Sequence, residues 1–214
     1  MPPAVLVYCD AGEQGDQHGT LALGYLAFVL TGCFNSAGHL SSTGHCVSNV
    51  SPPPELPVYE QPSIPAPGYL WTPGYWASGP NGYFWVPGTW VQPPAVGVLW
   101  TPGYWGWRDG IYVWNAGYWG PHIGFYGGIN YGFGYAGVGY EGGHWENGVF
   151  AYNRTVNNFG SVTITNVYEK TVIVEPSASR ASFNGGSAGT TARPTREEEA
   201  AAHEQHVEIG RAHV

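Results

Sequence analysis

The sequence predicts an all-β fold built from a short repeat, and three observations carry this prediction. The pattern Trp-x-x-Gly-x-Trp occurs four times between residues 71 and 119. In each copy, aromatic and β-branched residues stand between Gly, Pro, Asn and Asp, which is typical of short strands. Gly and Pro also interrupt every i, i+3, i+4 spacing that an amphipathic helix would need. We therefore expect an antiparallel meander of short, aromatic-rich strands over residues 68–150.

The repeat has a nearly constant length. The first Trp of successive copies steps by 14, 15 and 14 residues, which indicates a repeated structural unit. A fifth, degraded copy has Tyr140 in place of its first Trp. The residues predicted to build the repeat are Trp71, Gly74, Trp76, Trp85, Gly88, Trp90, Trp100, Gly103, Trp105, Trp114, Gly117, Trp119, Tyr140, Gly143 and Trp145.

This register resembles the bacterial YXWGXW-repeat family, also called BcpO-related WXXGXW-repeat proteins, over about residues 68–145. The resemblance implies a cell-envelope or secreted protein of poorly defined function. It provides no established activity, cofactor or catalytic residue that could be carried over to this chain.

The first 33 residues are predicted to carry an export signal. The apolar run at residues 21–30 is too short to span a bilayer, which needs about 20 residues, and it ends in Leu30-Thr-Gly-Cys33. We interpret this as a signal-peptide core followed by a lipobox, with Cys33 as the lipidated residue. The alternative is a buried strand or helix, because residues 1–20 contain no Lys or Arg. A miscalled start codon would explain that missing charge.

Residues 34–67 are predicted to form a disordered, Pro-rich linker, since repeated prolines favour an extended spacer. Three cysteines are too few for a disulfide framework. His39, His45 and Cys46 are soft ligands without a second cluster at metal spacing, so no metal site is predicted.

Within residues 68–150, Asn81-Gly82 and Asp109-Gly110 have the chemistry of hairpin turns, and residues 91–97 form a longer loop. The Pro-Gly at the motif centre allows two structures. A tight turn would pair Trp71 with Trp76, whereas a continuous strand would need a bulge at Gly74. We favour the bulge, because type I and II turns splay hairpin strands.

The aromatic residues allow more than one use. The tryptophans can form the core or an exposed stacking platform, and we expect at least one buried ring in each repeat. Residues 120–143 alternate small and aromatic residues, which predicts a strand that packs closely against another sheet. The alternative for this stretch is an adhesive or fibril-forming segment.

The C-terminal part is predicted to contain further strands in residues 151–175, at 161–168 and 170–174. A flexible linker at 176–194 and a short helix at 195–207 follow, the helix opened by a capping box between Thr195 and Glu198. His203 and His206 lie i, i+3 on this helix without a supporting ligand frame. Residues 208–214 are interpreted as an adapter scar from sequencing.

The charge distribution and the absence of certain motifs exclude several classes of function. The formal net charge is -8, and no Lys or Arg occurs between residues 68 and 107, so nucleic-acid binding is not expected. The sequence contains no G-x-S-x-G elbow, no H-E-x-x-H motif, no phosphate-binding Gly loop that ends in Lys, and no Cys with a plausible His partner in the β region. Glu141, His144 and Glu146 form the one concentrated titratable group in the repeat region, and a glycosidase would need such paired carboxyls. We interpret them instead as the solvated end of a hairpin.

We therefore predict an exported repeat protein with a structural or adhesive role and no catalytic activity, cofactor or metal. It would be lipid-anchored at the bacterial outer membrane, in the periplasm or at the cell surface. Its expected partners are an envelope polysaccharide or a protein surface. The alternatives are a carbohydrate-binding module that uses exposed Trp and Tyr rings and, more remotely, a glycan hydrolase.

Overall fold

The computed structural model describes residues 47–173 and 180–208. Cys33, the signal region and the His39, His45 and Cys46 group lie outside these residues. In the described ranges, the strands are β1 Ser48–Asn49, β2 Leu70–Thr72, β3 Tyr75–Gly79, β4 Gly82–Val86, β5 Thr89–Val91, β6 Leu99–Thr101, β7 Tyr104–Arg108, β8 Ile111–Asn115, β9 Tyr118–Gly120, β10 Asn130–Gly132, β11 Tyr135–Ala136, β12 Gly143–Glu146, β13 Val149–Asn153, β14 Val167–Tyr168, β15 Phe183–Asn184 and β16 Val207–Glu208, and the helix is α1 Arg196–Ala202.

The all-β class is confirmed, but the strands do not join into a single meander. The described strands form six small sheets, mostly antiparallel. Two late strands pair in parallel, β14 with β13 and β15 with β7. The single sheet system expected from the repeat is therefore wrong, because the interruptions at each motif centre divide the strands.

Two neighbouring motifs build one hairpin. In the first hairpin, β2 pairs with β5 and β3 pairs with β4, so Trp71 lies opposite Trp90 and Trp76 lies opposite Trp85. In the second, β6 pairs with β9 and β7 pairs with β8, and their tryptophans pair in the same way: Trp100 with Trp119 and Trp105 with Trp114.

The chain runs through the motif centre without a tight turn and without the predicted bulge. Thr72 pairs with Thr89, and Tyr75 pairs with Val86, so the register is the same on both sides of the Pro-Gly interruption. Gly74 faces an equivalent interruption at Gly88 on the other strand. Because both strands are interrupted at the same level, neither gains an extra residue, and no bulge is needed.

The two hairpin turns differ. Asp109 and Gly110 have φ angles of 50° and 91°, the left-handed pair of a type I′ turn, as Asp-Gly predicts. At the first turn only Gly82 has a positive φ, of 104°, and Asn81 does not. Pro80 explains the difference. The proline ring fixes φ near −65°, and this value suits Pro80 as the second residue of a type I turn.

The Gly/Tyr-rich stretch forms loops instead of the predicted continuous strand. Only β10 and β11 are extended, and six glycines between residues 127 and 139 have positive φ. Their conformations turn the chain back repeatedly and direct aromatic side chains inward. The main core contains buried Tyr126, Ile129, Tyr131 and Tyr135 from this stretch together with tryptophans of both hairpins.

The Pro-rich segment that we expected to be a solvated spacer is packed where the structure describes it. Leu56 and Ile64 are 5% and 1% exposed and belong to the main core. Ile64 N donates to Asn158 O at 2.9 Å, and Leu56 N donates to Arg180 O at 2.8 Å. Residues 47–67 are therefore held to the rest of the fold by apolar burial and backbone hydrogen bonds.

The strands predicted at 161–168 and 170–174 are largely wrong. Only Val167–Tyr168 is a strand, and residues 170–173, the described part of the second run, are not extended in a sheet. The Asn153 side chain explains this. It donates to Glu141 O and Lys170 O at 2.9 and 2.8 Å, and it accepts from Lys170 N at 3.1 Å. A side-chain amide thus replaces ladder hydrogen bonds.

The C-terminal part is more ordered than the predicted flexible linker. In residues 180–194, Ser182 and Phe183 are buried, and Phe183 forms a second core cluster with Trp105 and Tyr112. Helix α1 begins after Thr195 with the predicted capping box and ends at Ala202, earlier than expected. Strand β16 follows and pairs with β9. No helix in the described part of the chain has the length and apolarity needed to cross a membrane.

Candidate functional site

The glycine at the centre of each motif makes room for a tryptophan of the partner motif. A Cβ atom on Gly74 would collide with Trp85 Cζ2 and would lie 2.7 Å from Val86 O. A Cβ atom on Gly88 would collide with Trp71 Cζ2 and would lie 2.9 Å from Thr72 O. The first Trp of each motif therefore covers the glycine of the other motif.

The second hairpin repeats this arrangement. Trp114 Cζ2 lies where a Cβ of Gly103 would be, and Trp100 Cζ2 lies 2.5 Å from a Cβ position on Gly117. None of the four motif glycines has a positive φ. The motif thus needs glycine because indole rings and the opposite backbone approach closely, and not because the backbone is left-handed.

The motif tryptophans are interior side chains. Three of their indole N–H groups bond to backbone carbonyls: Trp105 to Trp76 O at 2.8 Å, Trp90 to Pro62 O at 2.8 Å, and Trp76 to Glu55 O at 3.2 Å. None of the eight is among the exposed residues. Trp71, Trp90, Trp100, Trp105 and Trp119 are buried, and Trp76, Trp85 and Trp114 are half-buried.

The fifth motif forms a shortened version of the same hairpin. Trp145 lies opposite Phe150, and the phenyl ring of Phe150 takes the space that a Cβ on Gly143 would need. The turn has Asn147 and Gly148 at φ 50° and 79°. Tyr140 does not join this hairpin, and its ring packs on Tyr135 with centroids 4.6 Å apart.

Buried tyrosine hydroxyls connect the two hairpins. Tyr135 OH lies 2.9 Å from Trp100 O and 3.3 Å from Trp71 O, so it links β6 of one hairpin to β2 of the other. Tyr131 OH donates to Gly103 O at 2.8 Å. These hydroxyls thus have hydrogen-bond partners inside the core, where burial without a partner is costly. Burial raises the pKa of both tyrosines well above the usual range.

A groove of about 630 Å³ is lined mostly by residues outside the four full motifs. Its lining includes residues 92–96 of the loop between the hairpins and residues 163–166. Trp145, Phe150 and Tyr152 of the fifth-motif hairpin also line it. Its volume lies within the range of roughly 300–1,000 Å³ that is typical of small-ligand sites.

The groove combines fixed aromatic rings with uncharged polar groups. Trp145 Nε1 donates to Val98 O at 2.9 Å, and Tyr152 OH donates to Tyr69 O at 3.0 Å, so their polar atoms are already bonded. The lining also contains Gln92 and Asn166. No Asp, Glu, Lys or Arg lines the groove. It is therefore suited to an uncharged molecule with both apolar and polar surface.

The acidic group considered for a hydrolase is not gathered in this groove. Glu141 Oε2 lies 2.8 Å from Lys170 Nζ. The exposed His144 ring packs on Tyr168 with centroids 5.0 Å apart. Glu146 is exposed beside the fifth-motif turn. The three side chains thus lie at the protein surface and contact different neighbours, which is typical of the end of a hairpin.

His122 and the histidines of the C-terminal part contact aromatic and acidic neighbours. The His206 ring packs on Tyr118 with centroids 4.6 Å apart, and His122 Nδ1 lies 2.9 Å from Glu204 Oε1. His203 is the C-cap of α1. No group of three or more His, Cys, Asp or Glu that could hold a metal ion occurs among residues 47–173 and 180–208.

Sequence reasoning missed the groove and the bridging Tyr135. The sequence showed that loop 91–97 is long. It did not show that this loop and residues 163–166 line one groove, because that depends on tertiary packing. The alternating pattern around Tyr135 suggested a strand face, whereas the hydroxyl contacts arise from a looped chain. A possible signal was the excess of tyrosine over phenylalanine in residues 120–143, because buried tyrosines usually need hydrogen-bond partners.

The comparison with protein families agrees with this geometry. Residues 67–91 and 96–119 each match the WXXGXW repeat, so one matched copy corresponds to one hairpin of two motifs. Neither a curated protein nor a solved structure matches the chain. The repeat register, the two matched copies and the hairpin that each one forms show that the chain contains two copies of the WXXGXW repeat.

Proposed function

We propose that this WXXGXW-repeat protein is a non-catalytic structural component of the bacterial cell envelope, anchored through a lipid on Cys33. The observation that carries the proposal is the use of the motif itself. All eight tryptophans of the four full motifs pack within the hairpins, and five are buried. The repeat therefore serves to build a stable body, which suits a structural role.

The exposed surface supports contact with other envelope material. Phe84, Val96 and Val149 are 54%, 66% and 57% exposed, and the described repeat region carries few charges. Exposed apolar side chains with little charge around them favour association with a protein or polysaccharide surface. An adhesive role at the cell surface is consistent with the same features.

The two alternatives receive less support. A glycan platform on the motif rings would need exposed indole faces, and the motif tryptophans are buried or half-buried. For a hydrolase, Glu141 is paired with Lys170, and Glu146 lies exposed at a hairpin end. We therefore propose neither activity for these residues.

The test of this proposal is carried out in the source bacterium. Wild-type protein and the Cys33→Ala variant are labelled with a palmitate analogue, and cells are separated into soluble and membrane fractions. We expect labelled wild type in the membrane fraction and unlabelled variant in the soluble fraction. Equal labelling of the two, or unlabelled wild type in the cytoplasm, would contradict the anchor.

The structural role is tested by deleting the gene and measuring detergent sensitivity of the envelope. We expect increased sensitivity that wild-type protein restores. The Gly103→Val variant, which disturbs a hairpin but keeps the signal region, should fail to restore it. An unchanged envelope after deletion would count against a structural role.

A further inference from the structure

We propose that the groove lined by residues 92–96 and 163–166 binds a short stretch of uncharged polysaccharide. Most residues that line the site lie outside the two matched repeat copies, so this inference goes beyond the structural role of the motif. It does not depend on the lipid anchor, because binding is measured with the protein in solution.

The aromatic part of the groove is fixed in position. Trp145 and Phe150 pack edge to face with centroids 5.3 Å apart, and Phe150 packs on Tyr152 at 4.8 Å. The Trp145 N–H and the Tyr152 OH are bonded to backbone carbonyls. Phe150 and Tyr152 are 3% and 2% exposed, so they hold Trp145 in place, and the half-buried Trp145 ring presents the aromatic surface. This surface matches the C–H face of a sugar ring, and little side-chain entropy is lost on binding.

The polar part of the groove has the chemistry of a hydroxyl-rich ligand. Gln92, Thr163, Thr165 and Asn166 line it, and their side chains have no hydrogen-bond partner among the described residues. Each amide or hydroxyl can both donate and accept a hydrogen bond. Sugar hydroxyls have the same dual capacity, so several pairings can form in one pose.

Charge complementarity decides between ligand classes. With no charged side chain in the lining, a uronate or phosphate group would lose its hydration without gaining a counterion. A wholly apolar peptide would cover the four polar side chains without giving them partners. A neutral glycan satisfies both the aromatic surface and the polar groups.

The experiment measures binding to the full chain by isothermal titration. The probes are hexasaccharides of β-1,4-linked and α-1,4-linked glucose, an oligogalacturonate of equal length, and a proline-rich apolar peptide. We expect at least one neutral hexasaccharide to bind with a Kd of about 0.1–1 mM, and the charged probe and the peptide to bind at least about tenfold more weakly.

Variants locate the site. Gln92→Ala combined with Thr165→Ala should weaken neutral-glycan binding about tenfold, since two hydrogen bonds to the ligand are lost. The matched control combines Gln205→Ala with Thr191→Ala, two exposed residues outside the lining, and should change the Kd less than about twofold. Thermal melting confirms that both variants are folded.

Ala95→Arg provides a gain-of-function test that misfolding cannot imitate. A cation in the groove should improve oligogalacturonate binding while weakening neutral-glycan binding. The proposal is overturned if no neutral glycan binds, if the charged probe or the peptide binds wild type as well or better, or if the two double variants behave alike. Such failure would leave the lipid-anchor result unaffected, so the two proposals are separable.

Discussion

At the level of single residues, Gly103 shows what the motif requires. Its backbone does not have a positive φ, so any residue type could adopt its conformation. A Cβ there would nevertheless collide with Trp114 and lie 2.8 Å from both Asn115 O and Gly117 N. Two of these neighbours are backbone atoms of the opposite strand and cannot move without opening the hairpin.

We therefore expect Gly103→Ala to lower the free energy of unfolding by about 1–3 kcal/mol, the usual cost of overpacking. Gly106→Ala in the adjoining strand β7 is the matched control, because its Cβ would meet only movable side chains, with Asn115 Nδ2 at 3.1 Å. Urea unfolding measures both. Equal stability of the two variants would show that the close approach at Gly103 is not limiting.

Tyr135 is the second residue that merits a direct test. Tyr135→Phe removes the hydroxyl that lies between the carbonyls of Trp71 and Trp100 and leaves both buried. We expect a loss of about 1–3 kcal/mol in unfolding free energy, the cost of unsatisfied buried polar groups.

The control for Tyr135→Phe is Tyr75→Phe. Tyr75 is 37% exposed and stacks on Trp114, so the stack remains after its hydroxyl is removed. We expect this control to change stability by less than about 0.5 kcal/mol. If Tyr135→Phe were equally mild, the hydroxyl would not connect the hairpins energetically.

At the level of elements, the hairpin is the unit that the sequence predicted best. The repeat length, the strand character and the Asp109-Gly110 turn all followed from local chemistry. The conformation at Asn81 did not, because Pro80 imposed a different turn. The choice between turn and bulge at Gly74 was also decided by the opposite strand, and pairing of one motif with the next is not visible within either motif.

The tryptophan pairs give the hairpins their stability, and their burial predicts a contrast. Trp100→Ala should cost roughly 3–5 kcal/mol, as truncation of a buried aromatic residue does, and can unfold the protein. Trp107→Ala is the control, since Trp107 lies outside the motif and is 41% exposed. Thermal melting of both variants measures this, and similar melting temperatures would argue against a core role for Trp100.

At the level of the whole molecule, chain outside the repeats completes the core. Gly68 N donates to Tyr152 OH at 2.7 Å, and Ile64 N donates to Asn158 O, so segments distant in sequence meet beside the first hairpin. Such contacts were not predictable from composition. A Pro-rich stretch has the same composition whether solvated or packed, and only its placement against the hairpins distinguishes the two.

Because several tyrosines are buried, we expect the free energy of unfolding to fall at alkaline pH. Burial raises the pKa of Tyr104 to about 12 and raises those of Tyr131 and Tyr135 well above the usual range. In the unfolded chain these groups ionise near pH 10. Their contribution is therefore complete below about pH 10 and is lost as the pH rises through 10 towards the folded pKa values.

We expect a melting temperature several degrees lower at about pH 11 than at about pH 8. Absorbance at 295 nm should show that fewer than the 15 tyrosines ionise before the chain unfolds. Full tyrosine ionisation near pH 10 with the fold intact would contradict the burial of these hydroxyls.

Each motif glycine is covered by a tryptophan of the partner motif, so the repeat is complete only when the number of motifs is even. A motif added alone would bring a glycine without the ring that fills its space and a ring without a glycine beneath it. Such a chain can be lengthened or shortened without leaving an unfilled space only by two motifs together, a step of 29 residues as from Trp71 to Trp100. The fifth motif is the odd one, and its partner ring is Phe150, which comes from outside the pattern. An odd number of motifs thus requires a non-repeat residue to close the last hairpin.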